Sequence, residues 1–382
     1  MATALINGRI LGPQGMREGV AVLVAGKKIA AVVPFEQIPS DYAVHDLAGA
    51  WLVPGFIDSQ VNGGGGSLFN DNPTVDAIRC IGAAHRRFGT TGFFPTLISD
   101  SLEVVARAIK AVENAIAVGV PGVLGIHIEG PFLNGDRRGI HDASHFRTLG
   151  DQHIDLLTSL AGGRTLITLA PECAEPSLIE ALIARGAVIA IGHSDATYEE
   201  AADAFDRGVS GVTHLFNAMS QLRARAPGVV GAALENDSVW CSMIADGHHL
   251  APAAMRVAAR CKPPERLMLV TDAMSCVGGD DANFKLFGKT ISVRDGICCS
   301  ADGKLAGSNL DMASAVRNVM SVLDVSLEQA SAMASANPAA FLKLDDRLGV
   351  IGLGMNASMV ALDRDLNVTA TWIDGSLEEN DR

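Results

Sequence analysis

No stretch of this chain is apolar for long enough to span a bilayer, so no membrane-crossing helix is expected. Positive charge is also scarce: 30 lysines and arginines stand against 43 aspartates and glutamates, a formal net charge of -13. That argues against sequence-independent nucleic-acid binding, which needs a basic footprint. An anionic ligand would have to be met by local arginines and backbone N–H groups, because the average surface repels it. The seven cysteines are odd in number and scattered, with no CxxC pair, so neither a disulfide framework nor a thiolate zinc site is indicated. The adjacent Cys298 and Cys299 read as strand packing and not as redox chemistry. The opening MATALINGRILG lacks a charged region followed by an apolar core, so no secretory leader is expected. The expectation is a reduced, cytoplasmic protein with neither membrane nor nucleic acid as partner.

What is present is a globular composition, 48% hydrophobic and 19% charged, with forty glycines that imply many tight turns. The 382 residues allow two or three ordinary domains, or one large barrel with an accessory unit. The first 50 residues read as short strands, at 4–6, 20–24 and 29–33, separated by turn residues such as Asn7–Gly8 and Gly26–Lys27. From residue 52 the texture changes to short apolar runs separated by helical stretches. The runs fall at 52–57, 92–97, 123–128, 166–169, 188–191, 211–215, 239–245 and 267–270. Strands alternating with helices imply a parallel sheet, and eight such strands are the number that closes a (β/α)8 TIM-type barrel. No GxGxxG follows the first run, which speaks against a dinucleotide fold.

After Asp272 a Gly/Asp-rich loop leads to β-like pieces at 290–293 and 297–300, read as a hairpin inserted near 284–306. Helical stretches follow at 312–323, 327–334 and 337–342, and the last 35 residues return to strand character at 359–362 and 368–372. The β-rich start and end are expected to pair. Residues 1–51 with 345–382 would then form a small discontinuous β-sandwich domain beside a catalytic barrel of 52–344.

Catalytic residues of such barrels come from the C-terminal ends of several strands. Here His127 and Glu129 end one predicted strand, His193 follows another, His214 a third, and His248 and His249 a fourth. A lone histidine at a strand end is usually structural. Two histidines and a glutamate on three separate strands suit a divalent ion, since neutral imidazole and carboxylate form the His2Glu set of zinc sites that keep a position open for water. Asp272 ends the last predicted strand. It could cap a following helix, or act as a general base that takes a proton from water and returns it to a departing amine.

Six segments in order, PGFIDSQVNGGGG (54–66), HIEGPFLN (127–134), GHSDAT (192–197), THLFNAM (213–219), ADGHH (245–249) and VTDA (270–273), resemble the N-acetylglucosamine-6-phosphate deacetylases of the amidohydrolase superfamily. The resemblance covers nearly the whole chain. It implies Glu129, His193 and His214 as ligands of one divalent metal per subunit, with zinc preferred and iron, cobalt or manganese able to occupy the same site. It implies Asp272 as the catalytic aspartate and His141 as a histidine near the sugar or acetyl group. It implies Asn217, Ala218, Arg225 and His249 at the phosphate, with some phosphate contacts shared across a homodimer. His249 is preferred to His248, Arg225 to Arg223, and His127 is left off the metal. Many amidohydrolases carry His-x-His at the end of the first strand and bind a second metal there. The matching positions are Gln60 and Asn62, poor zinc ligands, so the chain resembles the single-metal branch, with both amides lining the pocket. The implied activity is hydrolysis of the acetamide of N-acetylglucosamine 6-phosphate. The alternatives are the galactosamine epimer, a cyclic-amide hydrolase, and a sugar-phosphate-binding barrel without turnover.

Overall fold

A computed structural model describes residues 2–279 and 282–379; two aspartates of the Gly/Asp-rich loop, Asp280 and Asp281, and the last three residues lie outside them. At its centre is an eight-stranded parallel sheet whose neighbours follow chain order. The strands are Phe56–Val61, Thr90–Ile98, Gly125–Glu129, Arg164–Leu169, Val188–Ile191, Gly211–Val212, Trp240–Met243 and Leu267–Leu269. They are buried almost throughout, which is why they read as continuous apolar runs and not as alternation. Beyond the eighth strand the chain turns back onto the first: the Asp272 N–H donates to the Gln60 carbonyl at 3.0 Å, and the Asn62 N–H to that of Ala273 at 2.9 Å. The sheet therefore closes nearly into a barrel, and the closure seam runs through Gln60, Asn62 and Asp272.

Helices sheathe the barrel with the stripes their sequences predict. In Leu102–Ala117, Val105, Ala108, Ile109, Val112 and Ala115 are buried at spacings of three and four, and Ser101 caps the start by accepting from the Val104 N–H. Helix Tyr198–Asp206 begins with a reciprocal capping box between Thr197 and Glu200. Beneath the strand starts, Phe341, Leu342 and Leu344 pack with Ile57, Phe94, Leu166, Val188 and Met268 and fill one end of the barrel. The other end is left for a site.

The expected first barrel strand, 52–57, is in fact two strands of different sheets. Trp51–Pro54 pairs with Met359–Leu362 and Arg9–Gly12, and only Phe56–Val61 enters the barrel. Pro54 offers no N–H to continue a ladder, and a Cβ on Gly55 would lie 2.0 Å from Thr91 Oγ1. The chain passes from one sheet to the other at this glycine, where any side chain would collide with Thr91. The first and last segments of the chain build a four-stranded and a six-stranded sheet. These bury a common core in which Leu5, Ile10, Val22 and Leu52 from the start meet Met359 and Trp372 from the end.

The expected hairpin is a four-stranded antiparallel sheet, Asn283–Leu286, Lys289–Arg294, Ile297–Ser300 and Leu305–Ser308. Phe284, Leu286, Ile291, Cys298 and Ala306 pack inward on Met274 and Ile98. Its outer strands are short and half polar, so their period of two is weak in the sequence. Cys298 is buried there, whereas Cys299 is only partly so.

Candidate metal centre and substrate cavity

Glu129 is the last residue of the third barrel strand, and His193 and His214 each lie two residues past the end of the fifth and the sixth. Asp272 lies three past the eighth. His193, His214 and Asp272 all have left-handed backbones, with φ of 49°, 36° and 53°. This conformation costs a non-glycine residue on the order of 1 kcal/mol. Here it turns each side chain across the barrel mouth at the moment the strand ends.

The three proposed ligands converge. His193 Nε2 and His214 Nε2 lie 3.1 and 3.0 Å from Glu129 Oε1 and 3.1 Å from each other, and all three residues are buried. His193 Nδ1 sits 2.9 Å from the Arg137 carbonyl, which can only accept, so Nδ1 carries a proton and Nε2 is the ring nitrogen turned to Glu129. Two lone-pair atoms at 3.1 Å in a dry site repel unless a proton or a cation lies between them. Two imidazoles and a carboxylate fit a divalent ion of the zinc type. Burial alone would raise the Glu129 carboxyl, but hydrogen bonds and charge from His193 and His214 outweigh it and hold the group well below the usual carboxylate range.

Gln60 and Asn62 are engaged with the carboxylates. Asn62 donates to Asp272 Oδ1 at 2.6 Å, and Gln60 Nε2 to the same oxygen at 3.2 Å. Gln60 also reaches both Glu129 oxygens, at 3.2 and 3.1 Å. Asn62 borders the cavity, whereas Gln60 stays behind the carboxylates and off its wall, in contrast to the expected pocket-lining role. Asp272 is pushed up to about 6, first by burial and then by the charge of Glu129, against the pull of His214, His249 and the Asn62 hydrogen bond. That suits a group that must both take and give a proton near neutrality.

Over this centre lies a cavity of about 380 Å³, bordered by Glu129, His193, His214, Asp272, Asn62, His141, Asn217, Ala218 and His249. His141 Nδ1 lies 3.3 Å from the Ser99 backbone N–H, which can only donate, so Nδ1 accepts and Nε2 carries the ring's proton. Burial, followed by the charge of His193, holds this ring well below the usual histidine range and therefore neutral. A neutral N–H donor beside the cation ligands is the group that a developing oxyanion needs.

The remaining predicted residues divide. His249 borders the cavity while His248 is exposed. His127 hydrogen-bonds Thr168 at 2.7 Å and Thr96 at 3.3 Å, apart from the cation cluster, and is pushed down to about 4 by burial. Arg223 and Arg225 border a neighbouring cavity and are exposed, so neither lines the metal-side cavity within one chain. Reading the sequence missed Ser99, which orients His141, and Asp246, whose carboxylate takes His249 Nδ1 at 2.6 Å. It also missed the inserted sheet's Lys304, Leu305 and Gly307 on the cavity wall. Asp246 stands in the ADGHH segment and could have been found as an Asx-turn former. The insert residues carry no such mark.

A buried cation-binding triad with a carboxylate facing it, at the strand-end mouth of a parallel barrel, defines a metal-dependent hydrolase. Residues 51–377 match the model of the amidohydrolase family. The chain is 45% identical over 339 residues to the N-acetylgalactosamine-6-phosphate deacetylase of Shewanella sp. (strain ANA-3), covering 88% of this chain and 86% of that one. It is 32% identical over 383 residues to the N-acetylglucosamine-6-phosphate deacetylase of Haemophilus influenzae, with full coverage of both (100% and 100%). The crystal structure of N-acetylglucosamine-6-phosphate deacetylase from Pasteurella multocida superimposes with a TM-score of 0.96 at 34% identity, over 100% of each chain. The chain belongs to the amidohydrolase family, a metal-dependent group, and its relatives are deacetylases of amino-sugar phosphates. Among the described residues no helix is long and apolar enough to cross a membrane.

Proposed function

We propose that the chain removes the acetyl group from N-acetylglucosamine 6-phosphate, giving glucosamine 6-phosphate and acetate. The observation that carries this reading is the meeting of Glu129, His193 and His214 with Asp272 and His141 in one cavity. A divalent ion held by the three ligands, zinc by preference, would supply Lewis-acid polarisation of the amide carbonyl and a more acidic water. Asp272, held by Asn62 and Gln60 through Oδ1, keeps Oδ2 to take the proton of the attacking water and pass it to the leaving amine. The His141 Nε2–H supports the negative charge that grows on the carbonyl oxygen. Asn217, Ala218 and His249 border the same cavity, where they would hold the phosphate and orient the amide.

Arg225 is proposed to complete the phosphate site of a neighbouring copy in a homodimer. Its exposure, beside the half-exposed Leu222 on the same loop, supports this. Residues 1–51 with 345–382 are proposed as an accessory unit to the barrel of 52–344, with the chain crossing at Gly55; their common core supports it. A cytoplasmic setting is proposed from the seven free cysteines.

Acetate release on mixing with N-acetylglucosamine 6-phosphate, abolished by chelation and restored by zinc, is the expected result. No release from any N-acetylated hexosamine 6-phosphate would refute the reading. The galactosamine epimer is a second reading, favoured by the 45% identity to a deacetylase of that name. The ratio of kcat/KM on the two phosphates decides between them.

A further inference from the structure

The seventh barrel strand, Trp240–Met243, runs into the turn Asp246-Gly247-His248-His249, which no step above uses beyond His249 itself. Asp246 organises that turn. Its Oδ1 accepts the backbone N–H groups of both His248 and His249 at 2.8 Å each, and its Oδ2 takes the His249 Nδ1–H at 2.6 Å. Gly247, with φ of 78°, supplies the left-handed residue that folds the chain back on the carboxylate. The two side chains are only 7% and 7% exposed, so the contact is shielded from water. From below, the Asn318 amide ties down the Ala245 carbonyl at 2.8 Å.

We propose that Asp246 is a positioning residue for phosphate recognition, fixing the His249 ring so that its Nε2 edge meets the phosphate of the substrate. This rests on the amino-sugar-phosphate reading. With Nδ1 committed to Asp246, Nε2 is the one ring nitrogen left for the cavity, where His249 stands with Asn217 and Ala218. Toward a phosphate Nε2 must act as an N–H donor. The Asp246 carboxylate held against Nδ1 supports that donor role. Burial by itself would raise the Asp246 carboxyl, but the hydrogen bonds and charge of His249 outweigh it and keep the group below its ordinary value, hence ionised. In a chain of net charge -13, cationic contacts to an anion have to be built locally, and this pair is one such construction.

The test compares wild type, Asp246→Asn, His249→Gln and the double variant on N-acetylglucosamine 6-phosphate and on unphosphorylated N-acetylglucosamine. Asparagine can still accept the two backbone N–H groups through its oxygen, so the turn survives while the charge behind Nδ1 is lost. Expected for Asp246→Asn is a KM about tenfold higher on the phosphorylated sugar, kcat within about twofold, and unchanged kcat/KM on the unphosphorylated sugar. His249→Gln, which leaves the turn intact, should raise the same KM by about as much, and the double variant should be no worse than either single one. Equal losses on both sugars, a fall in kcat at constant KM, or additive effects of the two substitutions would overturn the inference. If Asp246→Asn does not fold, an unaltered KM in His249→Gln overturns it instead. A wild type that does not prefer the phosphorylated sugar contradicts the substrate reading itself, whereas a preference that Asp246→Asn leaves intact contradicts only the role of Asp246.

Discussion

The Asn62 side-chain amide donates to Asp272 Oδ1 at 2.6 Å, and Gln60 donates to that same oxygen at 3.2 Å. Two neutral amides therefore occupy the positions where many amidohydrolases have paired histidines. Both amides engage one oxygen of the carboxylate, and in the proposed reaction the other oxygen accepts the proton. Gln60 also spans Glu129 and Asp272, two carboxylates whose charges oppose each other across the site.

Asn62→Ala removes a hydrogen bond to a charged group, worth roughly 1.5–3 kcal/mol. It should lower kcat by about 10- to 100-fold while metal content stays at the wild-type level. Steady-state kinetics with elemental analysis of the same sample check this. A variant that loses its metal, or keeps wild-type kcat, would show that the contact does not serve the base.

Asp272→Asn keeps the shape of the side chain but cannot accept a proton. Turnover should fall by about a thousandfold or more, with metal and phosphate binding retained. In the wild type, Asp272 must be ionised to act as base, so activity should fall as pH drops through its value of about 6. A bound cation favours the carboxylate and moves that limb lower still. A kcat/KM profile with its acid limb centred above about 7 would point to another group.

Asp58 offers a test of stability. It is fully buried in the first barrel strand, accepts from Thr271 Oγ1 at 2.5 Å, and is pushed up to about 7, chiefly by burial. A carboxyl with a raised folded value binds its proton more tightly folded than unfolded. Stability from this group is therefore greatest at low pH and is lost as pH rises from about 4 toward 7. Asp58→Asn removes that dependence. The difference in unfolding free energy between variant and wild type should shift in favour of the variant between pH 4 and pH 8, by a few kcal/mol at most on the order of the raised value. Chemical denaturation at both pH values measures it, and a shift in the opposite direction would contradict the assignment.

The barrel was legible because strands buried on both faces leave continuous apolar runs, and Glu129, His193, His214 and Asp272 were legible because each follows such a run. The change of sheet at Gly55 was not, because residues 51–57 read as one apolar run and only their pairing partners, Arg9–Gly12 and Met359–Leu362 on one side and Thr90–Ile98 on the other, separate them. The inward facing of His193 and His214 depends on left-handed backbones, which are uncommon for any non-glycine residue and leave no mark in the local pattern. The amide contacts of Gln60 and Asn62 arise where the eighth strand returns to the first, a tertiary event invisible in the local pattern. Arg225 was legible as a residue type, but the structure sets it on a neighbouring cavity and not on this one, a placement that loop sequence does not encode.

Whether Glu129, His193 and His214 hold a catalytic cation is decided by metal content per chain measured alongside acetate release, in wild type and in Glu129→Gln. One tightly held divalent ion per wild-type chain is expected, with both that ion and acetate release lost in the variant. Acetate release that persists at the wild-type rate after the protein has been stripped of divalent ions would contradict it.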